Sequence, residues 1–181
     1  MKLNVWQAMK PAELSLGDFL RRTSPEITHL VELPQQTLLV LLSYVLEQPQ
    51  TWILAHPEAR LSAPQRAELT ALVARLKQGE PLPYLTGRQE FFGLCFEVSP
   101  AVLIPRPETE LLVETALSWL RSHPAANSAV DVGTGSGCIA VSLAANTPAL
   151  GIVATDISTD ALTIAQRNAQ IHHVEDHITF Q

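Results

Sequence analysis

One stretch constrains the fold of this chain most: Ala129-Val130-Asp131-Val132-Gly133-Thr134-Gly135-Ser136-Gly137-Cys138-Ile139-Ala140. An apolar run ends at Val132, three alternating glycines follow, and apolar residues then continue at helical spacing to Ala145. This order predicts a buried strand, a glycine loop and a helix, as in parallel α/β sheets. Glycine allows positive φ and keeps side chains out of a ligand's path, and the helix directs free backbone N–H groups into the same space.

A second apolar run, from Gly151 to Asp156, predicts the next parallel strand and ends on an acid about twenty residues after the loop. A βαβ unit places such a carboxylate beside the ribose of a nucleoside. Two alternatives stay open. Gly135-x-Gly137-x-x-Ala140 also satisfies the looser pattern of nicotinamide cofactor sites, and the glycines and Asp156 could serve only a tight turn and a helix cap.

The longer pattern Asp131-x-Gly133-x-Gly135-x-Gly137 resembles the first motif of S-adenosylmethionine-dependent methyltransferases. The resemblance implies S-adenosyl-L-methionine as the cofactor. It also implies that Asp156 holds the ribose hydroxyls and that the loop surrounds the methionine part. The loop residues expected to bind this cofactor are Gly133, Thr134, Gly135, Ser136 and Gly137.

Composition narrows the classes of function. The formal net charge of the 181 residues is -6, which argues against a general binder of nucleic-acid backbones. The most apolar run, Thr37 to Leu46, is about half the roughly 20 residues that a membrane span needs, so it predicts a core helix. The N-terminus lacks a signal-peptide pattern, and the expected location is the cytoplasm without membrane contact.

Cysteines and histidines give no ligand-like spacing. Cys95 and Cys138 lie in separate segments, and we expect both to be reduced and buried. The histidines at positions 172, 173 and 177 cluster, but neighbouring histidines on a helix point in different directions, so the expectation is solvated surface and no metal site.

The first part of the chain, residues 1–80, predicts a small all-helical domain whose short segments are separated by prolines. Its best-defined helix starts at a Ser62–Gln65 capping box and ends at Gly79. Core packing is the expected role of Trp6 and Trp52. The separating prolines are Pro11, Pro25, Pro34, Pro49 and Pro57, and the apolar face of the last helix comprises Leu69, Leu72, Val73 and Leu76.

Residues 81–106 predict a linker with a β-hairpin, because the β-prone runs 88–92 and 94–98 flank Gly93. Pro107 is expected to open a helix, since proline is tolerated in the first turn. Apolar and small residues continue this helix at Leu111, Leu112, Thr115, Leu117 and Leu120.

The linker also carries a specific resemblance. The segments Leu85-Thr86-Gly87-Arg88-x-Glu90-Phe91 and Phe96-x-Val98-x-x-x-Val102-Leu103-Ile104-Pro105-Arg106-Pro107-Glu108-Thr109-Glu110 resemble the signature of the HemK/PrmC family, the peptide chain release factor glutamine methyltransferases. Arg106 and Thr109 are expected either to line the cofactor pocket or to hold the linker.

The predicted fold class is therefore α/β, with a helical domain, a hairpin linker and the first half of a Rossmann-like class I methyltransferase sheet in residues 107–181. Ser158 is expected to cap the helix after the second strand, and residues 178–181 begin a third strand. The family's Asn-Pro-Pro-Tyr motif, which grips the substrate amide, is absent from the sequence. We therefore expect a fragment with no catalytic residue of its own.

The resemblance implies methyl transfer to the glutamine amide in the Gly-Gly-Gln loop of release factors, by a monomer that binds no nucleic acid directly. Three other readings remain. These are a nucleic-acid amino-group methyltransferase, a nicotinamide-dependent oxidoreductase fragment, and a folding or docking module without cofactor.

Overall fold

A computed structural model describes residues 14–181, so the expectations for Trp6 and Pro11 lie outside the described residues. The chain divides into two compact units, one ending at Thr86 and the other running from Gly87 to Gln181. The described helices of the first unit are α1 (Leu16–Ile27), α2 (Pro34–Leu46), α3 (Gln50–Ala55), α4 (Ala63–Lys77) and α5 (Leu82–Thr86).

Leucine packing forms the core of the first unit. Leu38, Leu41 and Leu42 of α2 are fully buried, which confirms that the apolar run at 37–46 is a core helix. Pro34 occupies the first turn of α2 and Pro49 precedes α3, as expected. Pro25 differs, because it lies inside the last turn of α1 and the helix continues to Ile27. No helix in residues 14–181 has the length and apolar character required to cross a membrane.

Helix α4 has the predicted start and stop. The Ser62 side chain accepts a hydrogen bond from the backbone N–H of Gln65, and the Gln65 side chain accepts one from the backbone N–H of Ser62. Gly79 follows the helix with φ of 88°, a left-handed conformation that glycine adopts without steric cost. The predicted apolar face, formed by Leu69, Leu72, Val73 and Leu76, is buried.

The second unit begins with the predicted hairpin. Strands β1 (Arg88–Phe91) and β2 (Leu94–Glu97) pair antiparallel, each one residue shorter than its run. Phe92 and Gly93 form the turn with φ of 51° and 72°. Two consecutive positive φ values match the right-handed twist of the flanking strands, so the turn sets the register of the hairpin.

Three parallel strands form the sheet of this unit, in the order β3 (Ser128–Val132), β4 (Gly151–Thr155) and β5 (Ile178–Phe180). Helix α7 (Cys138–Asn146) connects β3 to β4, and α8 (Thr159–Ile171) leads from β4 toward β5. This arrangement confirms the predicted strand, glycine loop, helix and strand sequence. Ser158 caps α8, since its side chain accepts a hydrogen bond from the backbone N–H of Ala161.

The two faces of the sheet differ in burial. Ile152, Ala154 and Ile178 are buried on the face against which α7 and α8 pack. On the opposite face, Val130 and Val132 remain 67% and 81% exposed. Parallel sheets of doubly wound folds are covered on both faces, so the described residues supply one of the two helical layers.

The helix after the linker departs from the expectation. Residues Pro107–Thr109 form a single 3₁₀ turn, and α6 begins at Glu110 and ends at Ser122. Val113 and Leu117 are its buried residues, whereas Leu111 and Leu112 are 67% and 55% exposed. The helix therefore packs through a narrower stripe than its apolar content indicates.

Candidate functional site

The glycine loop is closed against the end of β4 by backbone hydrogen bonds. The amides of Gly133 and Thr134 both donate to the carbonyl oxygen of Thr155, at 2.8 Å and 2.9 Å. The amide of Gly137 donates to the carbonyl oxygen of Thr134 at 2.8 Å. These bonds fold the loop over the carboxyl ends of two neighbouring strands, which is where open α/β sheets bind ligands.

All three loop glycines have left-handed backbones, with φ of 76° at Gly133, 56° at Gly135 and 79° at Gly137. A Cβ atom added to Gly133 or Gly135 would meet no other atom within 4 Å. At Gly137 the same atom would lie 3.1 Å from the Cβ of Ala165 in α8. The first two glycines therefore leave open space above the loop, and the third permits close packing of α8 beneath it.

Asp156 follows β4 and contacts the glycine loop. One of its carboxylate oxygens accepts the Gly135 amide at 2.9 Å, and the other accepts the Ser158 amide at 3.0 Å. A carboxylate offers about four lone-pair positions, so two remain for hydroxyl groups of a ligand. The structure thus brings the predicted acid to the glycine loop.

Thr134 and Ser136 point into the protein. Thr134 is 5% exposed, and its hydroxyl donates to the Asp131 carboxylate at 2.7 Å. Ser136 is 2% exposed, and its buried hydroxyl lies within reach of the Cys138 thiol. Any contact of these two residues with a ligand is therefore expected through their backbone atoms.

The two cysteines differ, although both are free. Cys138 begins α7 and is buried, and this burial raises the pKa of its thiol. Cys95 is exposed, so the expectation that both cysteines are buried was wrong. Cys95 lies on β2 at the surface of the hairpin, where its side chain alternates with the buried Phe96.

Arg106 and Thr109 lie at the turn before α6. Arg106 is exposed, and its carbonyl oxygen accepts the Thr109 amide at 3.0 Å. Within residues 14–181, no hydrogen bond joins either residue to the glycine loop. The two roles expected for them, lining the cofactor pocket or holding the linker, both stay predictions.

The clustered histidines differ in their exposure to solvent. His173 is exposed, but His172 is half-buried, with Nε2 2.9 Å from the carbonyl oxygen of Cys95 and its ring 5.2 Å from that of Phe96. Because a carbonyl oxygen only accepts, Nε2 carries the proton. His172 thus joins α8 to the hairpin, a contact that the solvated-surface prediction did not include. In the described part of the chain, no group of three or more His, Cys, Asp or Glu residues is placed to hold a metal ion.

Asn168 was missed by the sequence reasoning. Its side chain, in the middle of α8, is completely buried and bonded to both β2 and the glycine loop. An asparagine inside an amphipathic helix predicts nothing by itself, because its partners are 71 and 32 residues away along the chain. The only sequence signal is a polar residue on the apolar stripe that contains Ala161, Ile164, Ala165 and Ala169.

The strand, the left-handed glycine loop and the acid that follows the neighbouring strand form the first half of a Rossmann-like sheet, and the family match over residues 107–181 assigns it to the class I methyltransferase fold. Two family models match the chain: PrmC N-terminal domain over residues 18–87, and Methyltransferase small domain over residues 107–181. The chain belongs to the HemK/PrmC family.

Curated relatives carry the name release factor glutamine methyltransferase. The protein from Aliivibrio fischeri is 40% identical over 164 residues, which cover 90% of this chain and 57% of the relative. Those from Bordetella pertussis and Escherichia coli are each 46% identical, over 76% and 77% of this chain and over 51% and 50% of their own lengths. The chain thus spans about half the length of the curated relatives that it matches.

Proposed function

We propose that this chain binds S-adenosyl-L-methionine and is the donor-binding part of an enzyme that methylates the glutamine side-chain amide of peptide chain release factors. The observation that carries the proposal is the open loop face at Gly133 and Gly135, with the Gly135 amide held by Asp156. The names of the curated relatives support a release factor glutamine as the methyl acceptor. The two family models support separate roles for the helical domain and the donor-binding domain.

The site residues fit this donor. The positive φ values at Gly133 and Gly135 turn the backbone so that no Cβ occupies the space above the loop. The first turn of α7 has no side-chain cap, so its free amides suit an anionic group such as the donor's carboxylate. Asp156 retains lone pairs for ribose hydroxyls.

The donor supplies an electrophilic methyl group when it is bound. An amide nitrogen is a poor nucleophile because its lone pair is delocalised, so catalysis depends on holding donor and acceptor in line. The described residues contribute the donor side of that alignment through a loop fixed at both ends by backbone hydrogen bonds. We assign no catalytic residue to this chain.

The domain division at residues 1–80, 81–106 and 107–181 is part of the proposal. The two family models leave residues 88–106 between them, which is consistent with a linker role for the hairpin. We propose the release factor as the protein partner and the helical domain as its docking site. We also propose the cytoplasm as its location, because translation factors act there.

Replacing Asp156 tests the donor site. We expect Asp156→Ala to weaken S-adenosylmethionine binding about tenfold or more, because the Gly135 amide loses its acceptor and the ribose loses a charged partner. Isothermal titration of the 181-residue chain measures the effect. Asp160→Ala is the matched control, since it removes an exposed acid from the first turn of α8.

Equal affinity in the Asp156 and Asp160 variants would contradict the assignment of Asp156. Titration with NAD tests the hypothesis of a nicotinamide-dependent oxidoreductase. That hypothesis requires NAD binding and no binding of the methyl donor. An enzyme that contains this chain can be assayed for methyl transfer to release factor and to RNA. The preferred acceptor distinguishes the protein-glutamine methyltransferase from the nucleic-acid methyltransferase.

A further inference from the structure

The side-chain amide of Asn168 makes three hydrogen bonds. Its Oδ1 accepts the backbone N–H of Glu97 at 2.7 Å, and its Nδ2 donates to the carbonyl oxygens of Glu97 at 2.9 Å and Ser136 at 2.8 Å. One side chain therefore pairs with both backbone groups of a β2 residue and also holds the glycine loop. The side chain is completely buried, so water cannot replace a lost partner.

The bond to Ser136 fixes one peptide plane of the loop. The carbonyl oxygen of Ser136 and the amide of Gly137 belong to the same peptide group. Asn168 holds the oxygen, and the carbonyl of Thr134 accepts the amide hydrogen at 2.8 Å. This plane precedes the left-handed Gly137, from which α7 starts. Its orientation therefore sets the direction of the free amides in the first turn of α7.

Other residues at this end of the chain also contact the hairpin or the loop. Ala165 lies directly under Gly137, Arg167 forms an ion pair with Glu97 at 3.0 Å, and His172 bonds to the carbonyl of Cys95. Of these residues, Asn168 alone has hydrogen bonds to both the hairpin and the loop. The hairpin strand β2 and the glycine loop are thus joined through a single amide group.

We propose that Asn168 is a positioning residue that holds the Ser136–Gly137 peptide in its ligand-binding orientation and ties that orientation to strand β2. The inference rests on the proposed donor site, because the consequence for binding requires that the loop receives S-adenosylmethionine. A displacement of β2 would be transmitted to the loop through Asn168, so the linker hairpin influences donor affinity without touching the donor.

Asn168→Asp is the sharpest test. The ionised carboxylate keeps an acceptor for the Glu97 amide, but it faces the carbonyl oxygens of Glu97 and Ser136 without a hydrogen to donate. Burial and these oxygens favour the protonated form, which restores one donor. We expect donor affinity about tenfold or more below wild type near pH 8, and a smaller loss near pH 5.5, where protonation is favoured.

Arg167→Ala is the control, since Arg167 contacts the same Glu97 but is exposed and makes no bond to the loop. The variant should bind the donor within about twofold of wild type, because exposed ion pairs contribute little. Wild type measured at both pH values accounts for the other titratable groups on α8 and on the elements around it, which include Cys95, Glu97, Asp131, Cys138, Asp156, Asp160, Arg167, His172, Glu175, Asp176 and His177.

Hydrogen exchange of the chain without donor gives a second readout. Relative to wild type at the same pH, Asn168→Asp should exchange faster at Gly135 and Gly137 near pH 8 and recover near pH 5.5, while Arg167→Ala should match wild type. The inference would be overturned if Asn168→Asp changed neither hydrogen exchange nor donor affinity. It would also be overturned if protection from exchange were lost uniformly across the second unit at both pH values. Failure of wild type to bind the donor would overturn the proposed function, and loop exchange would still decide the role of Asn168.

Discussion

The glycine loop and the helical unit are held together in different ways. The loop depends on three left-handed glycines and a few hydrogen bonds to Thr155, Asp156 and Asn168. The helical unit depends on many leucines that share one core, among them Leu38, Leu41 and Leu69. A change in the loop acts on the geometry of a site, whereas a change in the helical core acts on the free energy of unfolding.

The two regions also differ in the amino-acid substitutions that they can tolerate. Apolar packing is non-directional and accepts other residues of similar volume. A backbone turn with positive φ accepts few residues besides glycine, and a buried amide accepts few substitutes with the same three bonds. Paired substitutions in the two regions should therefore separate stability from donor binding.

The largest expected effect on stability comes from Leu41→Ala. Leu41 is fully buried in α2, and removing such a side chain leaves a cavity that costs about 2–5 kcal/mol in the free energy of unfolding. Chemical denaturation followed by circular dichroism measures the loss. Because Leu41 does not belong to the glycine loop, the donor affinity of the folded fraction should stay at the wild-type value.

Leu54→Ala is the matched control in the same unit, because Leu54 is 59% exposed in α3. Its cost should stay within about 0.5 kcal/mol, as is usual for surface positions. If fully folded Leu41→Ala bound the donor more weakly than wild type, the helical core would also affect the site, which would contradict the comparison.

Gly137→Ala is expected to act on both the site and the stability of the second unit. The left-handed backbone costs an L-residue about 1–2 kcal/mol, and the new Cβ would lie 3.1 Å from the Cβ of Ala165. Relief of that contact moves the start of α7 or of α8, so we expect donor affinity to fall about tenfold or more, which is about 1.4 kcal/mol or more, in addition to the loss of stability. Calorimetric titration and thermal unfolding measure the two effects.

Gly151→Ala provides the comparison within the same unit. The backbone of Gly151 has no positive φ, and an added Cβ would only approach the carbonyl oxygen of Asn127 at 3.8 Å. Affinity and stability should both change little. If the two glycine variants lost affinity equally, the conformation of Gly137 would not be the cause.

Local signals made most of the fold predictable from the sequence. The strand, loop and helix around Gly133, the cap at Ser62 and the hairpin turn at Gly93 each depend on residues within a few positions of one another. The same locality explains why the sequence could predict that the glycines and Asp156 lie together, since spacing along one βαβ unit fixes their place.

Long-range contacts explain what was missed. The burial of Asn168, the bond from His172 and the exposure of Cys95 are all set by how α8 meets the hairpin about 70 residues earlier. The exposure of Leu111 has a related origin, because the apolar content of a helix does not show which side finds a partner.

The smallest expected effects compare two helix caps. Ser62 caps α4 in the helical unit, and Ser158 caps α8 next to the loop. Replacing either serine with alanine should cost about 1 kcal/mol in the free energy of unfolding, because one amide in the first turn loses its acceptor. Thermal unfolding of both variants measures this cost.

Donor binding should distinguish the two caps. The backbone N–H of Ser158 donates to Asp156, which also accepts the Gly135 amide, so release of the α8 cap loosens the carboxylate that orients the loop. Ser158→Ala should therefore weaken donor binding about twofold to fivefold, and Ser62→Ala should leave it unchanged. Equal donor affinity in the two variants would show that Asp156 keeps its position without the cap, and that the site is more independent of α8 than its hydrogen bonds indicate.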